Sequence, residues 1–411
     1  MDNKKNKKNK KQRIRPPFWA TIVFCLISKF ILFFKGRVKF NRKKLKPYKK
    51  DFILIYNHYS NYDHYLVSAG MNFRSPNFVL TNYYYYNKFF AKVLDLYRAI
   101  KKDQFKPDTL SIRKMKRAVE KKAIIAIAPA GQVSIDGTIG YLSEAVVKLI
   151  RLCGVDVIAQ RSHGAHICWP KWRLAPRKSK VYVDYEVVLT KDEIKELSDE
   201  EIYQRVRNSI AIDDYAEQET KMNKIKSKSL TAGLENVFIR CPKCGAKYSY
   251  ESNKHELVCN HCHNHIIMNQ YGFLEGATSD DVTFKNEAEW IIWQKEVLKN
   301  EYFNTPNYKL STKVNVKNNP HHERVLEEVG SGVITLTKDR LYYEGTNLGE
   351  DCTIEFNYQT LVQLPFKLQH HFEVPSDKTT FMYLPIDNQK VIFEWVQLID
   401  IIRENRENNG N

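Results

Sequence analysis

Four short apolar runs, separated by stretches of helical character, constrain the fold of this 411-residue chain more than any other feature. Each run has the length and composition of a buried strand. Strands that alternate with helices predict an α/β fold built in layers. The runs occupy residues 52–56, 123–128, 155–159 and 180–188.

The first run leads into a histidine and, five residues later, an acid, in the motif Asn57-His-Tyr-Ser-Asn-Tyr-Asp63. A neutral histidine can take a proton from a hydroxyl through one ring nitrogen. A carboxylate at the other nitrogen fixes the tautomer and stabilises the imidazolium that forms. His58 and Asp63 can therefore act as a general base and its orienting acid. Ser60 or Asn61 is predicted to cap the helix that follows. The alternative is a surface histidine and a first-turn aspartate without chemistry.

The spaced residues Asn57, His58, Ser60 and Asp63 resemble the first sequence block of the glycerolipid acyltransferases. That family is typified by 1-acylglycerol-3-phosphate (lysophosphatidate) acyltransferase. The resemblance implies that His58 is the general base, that Asp63 orients it, and that Ser60 belongs to the substrate-binding site. It also implies a glycerolipid acyltransferase domain at residues 51–225.

Two further segments match the family's second and fourth blocks in part. The second block falls on residues 98–103, and the family spacing places its phosphate-binding cation at Lys101 or Lys102. A lysine can supply the charge of the usual arginine but not its two-pronged geometry. The fourth block falls on the apolar segment 154–159, without the usual proline.

The family's third block falls on residues 128–134, directly after the second apolar run. Pro129 and Gly131 match the pattern, and backbone N–H groups near Gly131 are expected to hold the oxyanion of an acyl-transfer intermediate. Ala130 stands where the family has glutamate, and Val133 stands where it has arginine.

The resemblance predicts an O-acyltransferase that moves a fatty acyl group from an acyl thioester to the free hydroxyl of lysophosphatidate, in phospholipid biosynthesis. The expected partners are the lysophospholipid and the acyl donor, either acyl-coenzyme A or acyl carrier protein. Because Ala130 replaces the family glutamate, a second hypothesis stays open. The chain is then a catalytically impaired relative that acts as a membrane lipid-binding or scaffold protein.

The first fifty residues carry nearly all of the chain's net charge of +18, with 18 Lys and Arg against the single acid Asp2. The basic clusters at 4–15 and 35–50 flank an apolar segment at 17–34. Polybasic segments beside an apolar helix are attracted to anionic lipid. Residues 1–50 therefore predict a polybasic membrane anchor.

Both flanks of the apolar segment are basic, which suits a helix whose two ends stay on one side of the membrane. An in-plane or re-entrant anchor is favoured over a full span. The expected location is the cytoplasmic face of the cell membrane, as a peripheral or monotopic protein. Nucleic acid is not an expected partner, because no aromatic side chain lies among the charges of the basic tail.

Two Cys-x-x-Cys pairs separated by fourteen residues predict a zinc ribbon at residues 236–272. Four thiolates would hold a structural Zn²⁺ and leave no open coordination position. Redox dithiols or disulfides are the alternative, and the nearby histidines are expected to be bystanders. The predicted ligands are Cys241, Cys244, Cys259 and Cys262.

Residues 280–404 begin with helical spacing and continue as short strands, with a closing helix that contains Trp395. This order resembles a pleckstrin-homology-like domain, in which a helix plugs a curled β-barrel. A generic small β-barrel is the alternative.

Overall fold

The computed structural model describes residues 13–105, 108–319, 325–376 and 379–409. The first unit is one sheet with helices packed around it. Its strands are β1 (Arg37–Phe40), β2 (Ile53–Tyr56), β3 (Pro76–Thr81), β4 (Ile100–Lys102), β5 (Ile124–Ile127), β6 (Val157–His163) and β7 (Lys180–Leu189). They lie in the order β1-β7-β6-β2-β5-β3-β4.

The central strand β2 runs parallel to both of its neighbours, β5 and β6, and all four of its residues are buried. Strands β3 and β4 continue the parallel part, while β7 is antiparallel to β6. The carboxyl ends of the five parallel strands therefore share one edge, the usual place for a ligand site in such sheets. The predicted α/β fold is confirmed. The sequence does not predict β1, β3 and β4, which lie towards the two sides of the sheet.

Nine helices of the described residues belong to this unit. They are α1 (Phe18–Lys35), α2 (Asp63–Met71), α3 (Lys88–Leu96), α4 (Thr109–Glu120), α5 (Ala145–Cys153), α6 (Ala165–Cys168), α7 (Glu193–Glu196), α8 (Asp199–Ile210) and α9 (Asp214–Lys221). Helix α2 approaches the sheet closely at Gly70, where a Cβ would lie 2.1 Å from the hydroxyl of Tyr185. Helix α1 packs along α2 and, by length and composition, could cross a membrane.

The second unit is a small antiparallel sheet in the order β11-β10-β9-β8, formed by β8 (Tyr250–Asn253), β9 (Glu256–Cys259), β10 (His265–Met268) and β11 (Leu274–Gly276). The first Cys-x-x-Cys pair lies in the turn before β8, and the second starts at the last residue of β9 and continues into the turn after it.

The third unit is an antiparallel seven-stranded sheet with two long helices, α10 (Glu287–Asn304) and α11 (Val391–Asn408). Its strands are β12 (Lys309–Asn318), β13 (Glu327–Thr337), β14 (Leu341–Asn347), β15 (Glu350–Phe356), β16 (Phe366–Lys367), β17 (His371–Pro375) and β18 (Thr380–Pro385). The order is β15-β14-β13-β12-β18-β17-β16.

Among the described residues this sheet does not close into the predicted barrel. Its two end strands, β15 and β16, each pair on one side only. Strand β16 has two residues, and both pair with β17. The predicted closing helix is present as α11. Its Trp395 is fully buried, stacks on Phe372 with ring centroids 5.2 Å apart, and donates to the Thr312 hydroxyl.

Helix α10 joins the three units. At its start the carboxylate of Glu287 accepts from His166 of the first unit at 2.9 Å. Trp290 stacks on Phe238 with ring centroids 4.0 Å apart, next to the small sheet. Gln294 lies within hydrogen-bond distance of Gln397 on α11. The small sheet and the third unit consequently share one hydrophobic core, which also reaches into the first unit.

Candidate active site

The structure brings His58 and Asp63 together at the carboxyl end of β2. Nδ1 of His58 lies 2.7 Å from Oδ2 of Asp63. The carboxylate is 1% exposed and also accepts the backbone N–H of Ser60 at 3.1 Å. Burial raises the pKa of Asp63, and the hydrogen bond from His58 opposes that rise. When Nδ1–H donates to Asp63, Nε2 keeps its lone pair and can accept a proton.

Side-chain and backbone hydrogen bonds hold this loop against β6 and against the segment that follows β5. The side chain of Asn57 donates to the Ser162 carbonyl at 3.1 Å and accepts the Ser162 N–H at 2.8 Å, which ties β2 to β6. The carbonyl of His58 accepts the N–H of Ser134 at 2.7 Å. The backbone that carries the imidazole is therefore fixed from both sides.

Neither Ser60 nor Asn61 caps α2, contrary to the sequence prediction. The helix begins at Asp63 after Tyr62 and has no side-chain cap. The hydroxyl of Ser60 donates to the Trp169 carbonyl at 2.8 Å and accepts from the Tyr62 N–H at 3.1 Å. Ser60 lies beside the cavity, but its hydroxyl is occupied in holding the loop.

His58 borders two cavities. The first has a volume of about 890 Å³, within the usual range for small-molecule sites of roughly 300–1,000 Å³. Its apolar lining includes Val79, Leu80, Ile112, Met115, Val146 and Leu149. The second, of about 900 Å³, is lined by more charged side chains, among them Lys148, Arg207, Lys295, Asp400 and Arg403. Ala130, Gln132 and Val133 border both.

The two lysines expected to bind phosphate differ in position. Lys102 is half-buried and lines the first cavity, where burial lowers its pKa. Its ammonium donates to the Asp103 carbonyl at 3.2 Å. Lys101 is exposed and does not line either cavity.

The segment that resembles the third block lies beside His58, as the spacing predicts, but Gly131 is not a free donor. Gly131 has a φ of +72°, a conformation that glycine adopts without strain. Its N–H donates to the Ala128 carbonyl at 3.0 Å, and its carbonyl accepts from Gln104 at 2.6 Å. The Gly131 amide is therefore engaged in a turn rather than directed at an oxyanion.

Three side chains of the first cavity are not among the predicted site residues. His64 packs edge-on against His58, with ring centroids 6.1 Å apart, and burial lowers its pKa to about 4, so that it stays neutral at neutral pH. Tyr84 and Lys171 also line this cavity. The aromatic run at 82–90 is the sequence signal for Tyr84. Lys171 lies in the segment 164–172, which resembles part of the acyltransferase family but does not by itself indicate a ligand.

The four predicted metal ligands form one cluster. Their sulfur atoms all lie within 4.8 Å of one another, with Sγ of Cys241 3.7 Å from Cys262 and Sγ of Cys244 3.9 Å from Cys259. These distances exceed a disulfide bond of about 2.05 Å. They match the spacing of about 3.8 Å that four Zn–S bonds of about 2.3 Å give in a tetrahedron. The donor set and its geometry fit Zn²⁺.

No family model matches this chain, and no curated protein matches it. Among solved structures, it is similar to the crystal structure of the 1-acyl-sn-glycerophosphate (LPA) acyltransferase PlsC from Thermotoga maritima. The identity is 16% over 49% of this chain and 79% of that chain, with a TM-score of 0.42. The similarity is weak, and the chemistry of this chain has to be inferred from its own residues.

Proposed function

We propose that this chain is an O-acyltransferase that acylates the free hydroxyl of a lysophospholipid at a membrane surface. The observation that carries the proposal is the buried Asp63 carboxylate 2.7 Å from Nδ1 of His58, on a loop between two cavities. This is the arrangement that a general base needs in order to activate an alcohol.

In the proposed reaction, Nε2 of His58 takes the proton of the acceptor hydroxyl while its oxygen bonds to the thioester carbonyl carbon. Asp63 stabilises the imidazolium that forms. The tetrahedral oxyanion then collapses, the C–S bond breaks, and the thiol leaves with the proton from the imidazolium. The products are the new ester and the free thiol, which together contain all the atoms of the acceptor and the donor.

Lysophosphatidate is the proposed acceptor, and acyl-coenzyme A or acyl carrier protein is the proposed donor. The apolar lining of the first cavity supports an acyl-chain substrate, and Lys102 gives that cavity a cation. The decisive experiment incubates the purified protein with labelled acyl thioester and lysophosphatidate. Labelled phosphatidate supports the enzyme.

Lipid binding without turnover in the same assay would support the second hypothesis, a catalytically impaired scaffold. The observation that favours this hypothesis is Ala130, which borders both cavities with a methyl group where the family has a carboxylate.

The membrane surface is proposed to be the outer face of α1. The side of this helix that packs on the protein carries mainly small or polar residues, namely Ala20, Thr21, Cys25, Ser28 and Leu32. The exposed side carries large apolar residues, among them Phe18, Trp19, Leu26, Phe30, Phe33 and Phe34. A contiguous apolar face of this kind on a folded protein indicates an interaction surface.

Polar contacts hold α1 against the first unit along its length. The Thr21 hydroxyl lies 2.6 Å from that of Ser75, and the ammonium of Lys29 donates to the Asn72 side chain at 2.8 Å. A helix fixed in this way supports an in-plane anchor rather than a full span. The basic residues of 35–50 are adjacent, whereas most of the 4–15 cluster lies outside the described residues.

Replacing Phe30, Phe33 and Phe34 together with serine is expected to weaken binding to vesicles that contain anionic lipid by at least about tenfold. Burial of one such side chain contributes about 1.5–3 kcal/mol. Vesicle co-sedimentation measures the effect. The matched control replaces Leu348 and Ile386, two exposed apolar residues of the third unit, with serine. Equal binding by both variants and the unaltered protein would exclude α1 as the lipid contact.

A structural zinc ion at the four thiolates is also proposed. When bound there, Zn²⁺ supplies no catalytic position, because four protein ligands complete its tetrahedron. Its role is to hold together the turns that carry Cys241–Cys244 and Cys259–Cys262. The small sheet can then pack on α10 and α11.

A further inference from the structure

Lys171, a half-buried lysine, lines the first cavity and has no role in the reaction proposed above. The ammonium of Lys171 lies 3.4 Å from the centroid of the Phe366 ring. Within the described part of the chain, no carboxylate lies at ion-pair distance from it. The carboxylate of Asp400 interacts with the ammonium only as a more distant charge. That carboxylate already lies 3.7 Å from the guanidinium of Arg403. A partly desolvated amine is stabilised in its charged form by a nearby counter-ion, so this site favours an anion that supplies one.

The backbone places Lys171 next to the loop of the general base. The carbonyl of Trp169 accepts from the Ser60 hydroxyl, and the carbonyl of Pro170 accepts from the Asn61 side chain at 3.2 Å. Lys171 follows directly and lines the same cavity of about 890 Å³ as His58. A ligand held by Lys171 would therefore share a cavity with the imidazole.

The third unit forms the wall against which Lys171 lies. Val362, Pro365, Phe366, Leu368 and His371 all line this cavity. The ring of His371 packs against that of Tyr83 from the first unit in a tilted arrangement, with centroids 5.3 Å apart. A cation over the face of an aromatic ring is attracted by the ring and held in place. Phe366 thus positions the ammonium of a residue that belongs to another unit.

Three other cations line the cavity, namely Lys102, Arg173 and Lys367. Arg173 donates to three backbone carbonyls, and Lys367 is exposed. Lys102 is better compensated. Its ammonium donates to the Asp103 carbonyl at 3.2 Å, and the carboxylates of Asp108 and Asp103 both act on it. The charge of Lys102 is therefore partly compensated within the protein, and an external anion would stabilise it less than it would stabilise Lys171.

We propose that Lys171, held by Phe366 of the third unit, is the anion-binding residue of the cavity and takes the phosphate monoester of the acceptor. The inference rests on the proposed function, and it gives the third unit a part in substrate recognition. Burial lowers the pKa of Lys171 well below its ordinary value. A phosphate beside the amine offsets that effect and restores the charge.

The test compares Lys171→Met, Lys102→Met and the control Lys195→Met, whose lysine is exposed and pairs with Asp192. Two quantities are measured in the full chain. One is calorimetric binding of sn-glycerol 3-phosphate, which requires no turnover. The other is the ratio of kcat/KM for lysophosphatidate to that for monoacylglycerol, which lacks the phosphate.

Lys171→Met is expected to weaken glycerol 3-phosphate binding and to lower the ratio by at least about tenfold, as for loss of a charged hydrogen bond. Lys171→Arg should restore part of both, and Phe366→Ala should act in the same direction as Lys171→Met. A purely structural role would lower rates for both acceptors equally and leave the ratio unchanged.

Unchanged binding and an unchanged ratio in Lys171→Met, with a folded protein by its unfolding midpoint, would overturn the inference. So would a loss that falls on Lys102→Met alone. Failure of the proposed function has a different signature. In that case the unaltered protein transfers no acyl group, while glycerol 3-phosphate binding still responds to Lys171.

Discussion

Replacing His58 with alanine is expected to lower acyl transfer by about 10²–10⁴-fold, the usual effect of losing a positioned acid–base group. The expectation follows from the geometry, in which Nδ1 is bonded to Asp63 and Nε2 is left to take the proton of the acceptor. The KM for the acceptor should change little, because the lost proton transfer contributes to the transition state rather than to binding. Initial rates are measured with a labelled acyl thioester over a range of acceptor concentrations.

Asp63→Asn tests the same dyad from the other side. An amide at this position can hold the ring but does not stabilise an imidazolium, so the rate should fall while glycerol 3-phosphate binding persists. Asp95→Asn, a change at an exposed aspartate of α3, serves as the matched control. Acyl transfer that survives His58→Ala at the original rate would remove the base from the mechanism.

Loss of the four-thiolate site is expected to have the largest effect on stability. In zinc-finger peptides the metal contributes about 10–16 kcal/mol of binding free energy that acts as folding free energy. Cys241→Ser should therefore reduce the zinc content of the purified protein and lower the unfolding midpoint of the small sheet and the third unit. These two parts should unfold together, because they share one core.

The measurements are metal content by atomic emission and thermal unfolding by circular dichroism. Cys352→Ser is the control, because Cys352 is half-buried on β15, away from the cluster. A protein purified without metal that unfolds at the same temperature before and after zinc addition would contradict a structural zinc ion.

The parts of the site that could be predicted from sequence are local in the chain. His58 and Asp63 lie five residues apart, so one strand and one helix start are enough to bring them together. The thiols can be predicted for the same reason, since the two cysteines of each Cys-x-x-Cys pair are brought together by a single turn. Strands β2, β5, β6 and β7 are recognisable because each contains a run of mainly apolar residues with the length of a buried strand.

What the sequence did not reveal depends on contacts between distant segments. Lys171 and Phe366 are nearly two hundred positions apart, and neither has a neighbour pattern that indicates a ligand. The turn that engages the Gly131 amide is likewise visible only in three dimensions. Strand β12 was missed because Lys309–Asn318 is mostly polar, with Val314 and Val316 among its few buried side chains.

The bond between Glu287 and His166 makes this chain a poor candidate for modular dissection. A fragment that ended after α9 would leave His166 without its acid partner and would bare the apolar surface around Trp172 and Tyr215. Exchange of the carboxyl-terminal half with that of another protein would meet the same obstacle.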